Sequence, residues 1–184
     1  MKIILFDLGN TLEDVEQGRL LPGASETLEA IQAMRDANGN ASVLALVSDF
    51  GEIPATPEQI QASQSEYFGI LRDLGILRFF EPLTQRVTLS TEVGAEKPSR
   101  RIFQAALAKI GGGLLFQDIM FITERKSHVN AARDLGMKAI HFKGPGETSG
   151  DLTLLLDLIP LVRDFSESIQ VGDNSCQSGN NTPT

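Results

Sequence analysis

Residues 3–12 read IILFDLGNTL. The apolar run Ile3–Phe6 reads as a strand buried on both faces, of the kind found in parallel sheets. Such a strand exposes side chains only at its carboxyl end, where open α/β sheets put their chemistry. What it delivers there is one carboxylate, Asp7, in a glycine-containing turn that ends in Thr11. An aspartate in that position can act as a nucleophile and as a ligand for a hard cation.

Four further short apolar runs follow: Ser42–Val47 (SVLALV), Arg86–Leu89 (RVTL), Ile119–Ile122 (IMFI) and Lys138–Phe142 (KAIHF). Helical patterns separate them. Ser25–Ala37 places Leu28, Ile31 and Met34 at helical spacing and stops at Asn38-Gly39. Residues 57–74 put Ile60, Tyr67, Ile70, Leu71 and Leu74 on one face and end at Gly75. Pro98 opens the next helix, with Ile102, Phe103, Ala106 and Leu107 as its buried stripe and Gly111–Gly113 as its end. Lys126–Leu135 stops at Gly136, and Asp151–Asp164 is the last helix, bent or restarted at Pro160. Strands alternating with helices predict a doubly wound, Rossmann-like α/β domain of about five parallel strands with helices on both faces. Right-handed crossovers then bring the strand ends to one edge. The domain is expected to span residues 1–165, followed by a polar, disordered tail over 166–184.

A chain of 184 residues is one domain in size, and its 41% hydrophobic and 22% charged residues are those of an ordinary soluble protein. The formal net charge of −8 argues against nucleic-acid or acidic-membrane binding. The single cysteine, Cys176, excludes an intrachain disulfide. The N-terminal apolar run is too short for a signal peptide, and Leu152–Val162 is broken by Asp157 and Pro160. A cytoplasmic location is expected. No signal specifies an oligomeric state.

Four segments end at the predicted sheet edge. The first carries Asp7 and Thr11, and the second Ser48 and Asp49. The third holds Lys97, just before Pro98, and the fourth runs into Thr123, Glu124, Arg125, Lys126 and His128. An aspartate, a hydroxyl, a lysine and a second carboxylate at one rim suit a phosphoryl group with a cation. Asp7 attacks phosphorus, Ser48 hydrogen-bonds its oxygens, and Lys97 neutralises developing charge.

Together these segments resemble the haloacid dehalogenase (HAD) superfamily in order and spacing over nearly all of residues 1–143. FDLGNTL is similar to its motif I, LALVSDF to motif II, EVGAEKPSRRIF to motif III, and IMFITERKSHVNAARDLGMKAIHF to motif IV. LLPGASETLEAI matches the proline-glycine step after the family's flap hairpin. The resemblance implies a phosphohydrolase in which Asp7 forms an aspartyl-phosphate, Ser48, Asn10 and Lys97 bind phosphate, and Asp7, the Gly9 carbonyl and Glu124 hold Mg2+.

The departures fall on the chemistry. Phosphatase members carry a second aspartate where Gly9 stands; it protonates the leaving oxygen and activates water. General acid–base help is typically worth about 10²–10⁴ in rate, so the resemblance implies slow turnover. Members with Gly-Asn at this point usually open motif IV with Asp-Asp. Here Thr123-Glu124 replaces that pair, His128 stands where an acidic or amide residue is expected, and Arg125 and Lys126 add charge that favours an anion over a cation. A second reading follows: a catalytically inactive relative that serves as a binding or assembly partner.

About 36 residues separate Thr11 from Ser48 and about 48 separate Ser48 from Lys97, too few in either gap for a folded cap domain. The resemblance then implies an open site, suited to a bulky or macromolecular phosphorylated substrate. Of the remaining candidates, Asp49 is expected to cap its own following turn. His128 is expected on a helix surface or as a cap, and Glu13, Asp14 and Glu16 as solvated flap residues.

Overall fold

The computed structural model describes residues 2–36, 38–146 and 148–167. Strand β1 (Ile3–Phe6) leads into a small antiparallel hairpin, β2 (Glu13–Asp14) and β3 (Arg19–Leu20), and then helix α1 (Ala24–Ala33). β4 (Val43–Ser48) and α2 (Pro57–Asp73) follow, then the short α3 (Leu83–Arg86), β5 (Val87–Leu89) and the short α4 (Ser90–Val93). The chain continues through α5 (Arg100–Ile110), β6 (Ile119–Thr123), α6 (Lys126–Asp134), β7 (Lys138–His141) and α7 (Leu158–Glu167).

The five-stranded sheet has the order β5-β4-β1-β6-β7, and every adjacent pair is parallel. β1 is central, pairing Ile3 with Val43 on one side and with Ile119 on the other. Period-two alternation splits its side chains between two cores. Ile4 and Phe6, with Leu44, Leu46, Met120 and Ile122, meet α1, α2 and α7. Ile3 and Leu5, with Ala45, Val47, Ile119 and Phe121, meet α5 and α6. That two-sided burial explains why the strand reads as an unbroken apolar run. It is a three-layer α/β domain, with no separate cap among the described residues.

From β1 the chain first winds outward through β4 to β5, then returns past β1 to build β6 and β7. The winding direction therefore reverses between β1 and β6, where an open parallel sheet leaves a crevice at its carboxyl edge.

Local chemistry sets the helix ends. Thr56 caps α2 in a reciprocal box with Gln59, with Pro57 in the first turn. Three expected boundaries differ. The helix near Pro98 starts only at Arg100, because the Ser99 hydroxyl accepts from the Arg101 amide and so occupies the cap position. The last helix does not begin at Asp151 or bend at Pro160. Residues 151–152 bond alongside His141 and Lys143, and α7 starts at Leu158, so Pro160 lies in its first turn, where the missing N–H costs nothing. α1 also ends early, with Met34 already extended. α7 runs to Glu167, and the expected tail, including Cys176, otherwise lies outside the described residues. No described helix is long and apolar enough to cross a membrane.

Candidate functional site

Asp7 follows β1 directly, and its amide donates to Ile122 O, which carries the ladder one residue past the strand. Its carboxylate lies on the crevice floor. Oδ1 accepts from Lys97 Nζ at 2.6 Å and from the Leu8 amide at 3.0 Å, while Oδ2 accepts from Thr123 Oγ1 at 3.1 Å. Lys97 reaches in from the loop before α5 with a side chain only 1% exposed. Its ammonium also donates to Val47 O at 3.0 Å and lies 4.0 Å from Asp49 Oδ2. A buried ammonium is tolerable only with such partners. Asp49 does not cap its own turn as expected; its Oδ1 accepts from the Lys97 backbone amide at 2.8 Å and clamps the lysine loop onto the end of β4.

Ser48 ends β4 and is buried, its Oγ 2.6 Å from the Tyr67 hydroxyl. Glu124 follows β6. Its Oε2 accepts from Thr11 at 2.9 Å and from Thr123 at 3.2 Å, and its Oε1 lies 3.4 Å from Arg125 Nε. Thr123 therefore stands between the two carboxylates with one proton to share. Thr11 is fully buried; its hydroxyl serves Glu124 and does not line the cavity.

Asn10 adopts a left-handed conformation at φ 54°, and its Oδ1 accepts from the Val15 amide at 3.4 Å, tying the turn to the hairpin. Gly144 packs against this turn so closely that a Cβ there would overlap Asn10 O, and only glycine fits. Gly9 is different. Its φ is not in the left-handed range, and a Cβ there would stand 3.1 Å from Val15 Cγ2. The backbone does not demand glycine at this position.

A cavity of about 410 Å³ joins these groups. Asp7, Gly9, Asn10, Ser48, Lys97 and Glu124, separated by up to 117 positions in the chain, all line it. Asp49 and Arg125 are on the same floor. The walls were not anticipated: Glu13 and Val15 come from the hairpin, Tyr67 and Ile70 from α2, and Phe50 from the loop between β4 and α2. Phe50 and Tyr67 meet edge to face at 5.1 Å. One signal was available for Tyr67, since a tyrosine on an otherwise apolar helix face needs a buried partner for its hydroxyl.

Burial drives the Tyr67 phenol far above its ordinary range; the Ser48 hydrogen bond opposes this, and the Asp7 and Glu13 carboxylates add to it. Tyr67 therefore stays protonated. Glu13 is only partly exposed and Asp14 is buried, contrary to the expectation of solvated flap residues. Burial, with the Asp14 charge adding, raises the Glu13 carboxyl above its usual range. His128 is also not a surface residue. It is buried, Nδ1 has no hydrogen-bond partner among the described residues, and burial plus the Lys97 charge pushes its imidazole down, with Asp7 and Asp49 opposing.

Among the described residues no group of three or more histidine, cysteine, aspartate or glutamate side chains is arranged to hold a metal. Magnesium asks for less: it is usually held by one or two carboxylates with water and substrate phosphate. Asp7 and Glu124, both within hydrogen-bond reach of Thr123, form an all-oxygen pair of that hard type.

The central β1, the switch beside it, the hairpin after it and this crevice define a HAD-like α/β fold. Solved structures carry the same likeness. A haloacid dehalogenase-like hydrolase from Streptococcus pneumoniae aligns with a TM-score of 0.64 at 14% identity, over 88% of this chain and 98% of its own. YfnB from Bacillus subtilis, solved bound to magnesium, aligns with a TM-score of 0.62 at 12% identity, over 88% and 98%. A HAD-superfamily hydrolase from Ehrlichia chaffeensis aligns with a TM-score of 0.59 at 16% identity, over 90% and 98%. No family model and no curated protein sequence matches the chain.

Proposed function

We propose that the chain is a phosphohydrolase that works through an aspartyl-phosphate on Asp7. The observation that carries this reading is the meeting of Asp7 and Lys97 at 2.6 Å beside the Ser48 hydroxyl, in the crevice where the sheet reverses its winding. Asp7 attacks phosphorus, and Lys97 offsets the charge that develops on the phosphoryl oxygens. Ser48 hydrogen-bonds those oxygens, with Tyr67 fixing its hydroxyl, and Asn10 adds a contact from the turn. Asp7, the Gly9 carbonyl and Glu124 would hold Mg2+, which supplies charge neutralisation at the transferring phosphoryl group when bound. YfnB, which shares this fold, was solved bound to magnesium, and that supports magnesium as the ion. Turnover is slow because Gly9 supplies no acid. With no separate domain over the crevice among the described residues, a bulky phosphorylated substrate has access, and a cytoplasmic setting fits an acidic chain with one cysteine.

A second reading is a non-catalytic binding or assembly partner. It is favoured by one feature: both Glu124 oxygens are already engaged, by Thr11, Thr123 and Arg125. The deciding measurement is phosphate release with acetyl phosphate in magnesium, together with mass-spectrometric trapping of a phosphorylated Asp7. The phosphohydrolase reading expects both in wild type and neither in Asp7→Asn. Full activity in Asp7→Asn would remove it, and metal-dependent turnover that vanishes in Lys97→Ala would remove the second reading.

A further inference from the structure

The floor of the cavity is charged, and the wall that α2 and the loop before it build is not. Asp7, Ser48 and Lys97 lie at the strand ends, whereas Phe50, Tyr67 and Ile70 form an apolar wall and Val15 closes the hairpin side. Tyr67 and Ile70 stand three residues apart on α2, one above the other, and Phe50 turns its ring edge to face with Tyr67. A planar ring is the complement of such a wall. The volume of about 410 Å³ holds a phosphoryl group with one ring beside it.

Charge narrows the choice. Four carboxylates, Asp7, Glu13, Asp49 and Glu124, line the cavity against two cations, Lys97 and Arg125. A substrate with carboxylates or further phosphates beyond the reacting one meets repulsion there, and an uncharged ring does not. Val15 bears on the same choice. Its Cγ2 stands 3.1 Å from where a Gly9 side chain would begin, so the methyl crowds that position, and Gly9 itself carries no group that could hand over a proton. An alkoxide leaves poorly without that proton, whereas a phenolate, some six pKa units less basic than an alkoxide on the order of the values for a tyrosine side chain and bulk water, leaves unaided.

We infer that this site takes phosphate monoesters of aromatic alcohols, the ring resting on the Phe50–Tyr67–Ile70 wall. The inference rests on the phosphohydrolase reading of Asp7. In the first step an Asp7 oxygen bonds to phosphorus as the P–O(aryl) bond breaks, and the aryl oxygen departs with the electron pair and takes a proton from solvent. In the second, water bonds to phosphorus, the P–O(Asp7) bond breaks, and inorganic phosphate and the free carboxylate are released, the water's proton passing to solvent.

The test uses the full chain in magnesium with acetyl phosphate, phenyl phosphate, cyclohexyl phosphate and a phosphotyrosyl peptide. Acetyl phosphate has a good leaving group and no ring, and cyclohexyl phosphate matches phenyl in size but leaves as an alkoxide. The expected result is kcat/KM for phenyl phosphate at least about 10²-fold above cyclohexyl phosphate, the lower end of what proton donation is worth. Ile70→Asp is expected to lower the phenyl-to-acetyl ratio about tenfold, through loss of apolar contact with the ring. Turnover of the peptide as well as phenyl phosphate assigns the aryl ester to a protein side chain; turnover of phenyl phosphate alone assigns it to a small molecule. Cyclohexyl phosphate turned over as well as phenyl phosphate, with the activity lost in Glu13→Gln, would overturn the inference, because a hairpin acid would then be supplying the proton. Acetyl phosphate turned over without phenyl phosphate or the peptide overturns the inference alone. No phosphorylation of Asp7 by any of the four overturns the phosphohydrolase reading with it.

Discussion

Replacing Lys97 with methionine isolates the electrostatics of the crevice floor. The wild-type ammonium is 1% exposed and lies 2.6 Å from Asp7 Oδ1, a carboxylate side chain itself 10% exposed. Methionine keeps most of the volume and removes the charge, so Asp7 keeps the Leu8 amide and Thr123 hydroxyl but loses its cation, and Val47 O loses a donor. Breaking a buried pair from one side costs about 3–5 kcal/mol, because the remaining charge is stranded. The slight exposure of Asp7 and its two surviving hydrogen bonds put the expected loss near the lower end, about 3 kcal/mol. With a urea m-value of about 2 kcal/mol/M, the unfolding midpoint falls by about 1.5 M. The double change Asp7→Asn with Lys97→Met removes both charges and is expected within about 1 kcal/mol of wild type, since a neutral pair of similar volume does not bear the cost of burying ions. A loss under about 1 kcal/mol for the single change, or a double mutant as unstable as the sum of the singles, would refute the claim that this pair is strongly coupled.

Gly9→Asp is expected to fold, because the position has an ordinary φ and only Val15 Cγ2, on an exposed hairpin residue, must give way. It restores a carboxyl beside the nucleophile, and cyclohexyl phosphate turnover is expected to rise about 10²-fold, further when combined with Val15→Ala; no gain in the double variant would count against a missing acid as the cause of slow turnover. His128 predicts an acid-side loss of stability. Its folded-state pKa is held down mainly by burial, so the unfolded chain binds the proton more readily. Its contribution is therefore complete above the ordinary histidine pKa of about 6.5 and is lost as pH falls below it. Urea midpoints measured between pH 7.5 and 5 are expected to drop less in His128→Asn than in wild type, and parallel slopes would contradict the assignment.

The sheet was legible in the sequence because each buried parallel strand leaves a short, nearly continuous apolar run, and all five runs became strands. Helix ends were less legible where a side chain outside the pattern decided them, as Ser99 does for α5 and the contacts beside His141 do for α7. At the site, strand polarity was enough to bring Asp7, Ser48 and Glu124 to one edge, because each directly follows or ends a parallel strand, whereas Lys97 comes from a loop beyond α4. Their partners were not readable. Asp49 clamps the Lys97 loop across 48 positions, and Ser48 meets Tyr67 from a helix face that looks like plain core.

His128 and Glu13 mark the same boundary. Neither looks buried in the sequence, yet His128 is buried and Glu13 is only partly exposed. IILFDLGNTL by itself determined a buried strand, a carboxylate at its end and a turn with no second acid, since periodicity and residue type are local properties. Only the tertiary structure decided that Val15 stands beside Gly9 and that an aromatic wall faces Asp7, because burial and close approach depend on which distant surfaces the packed layers bring together.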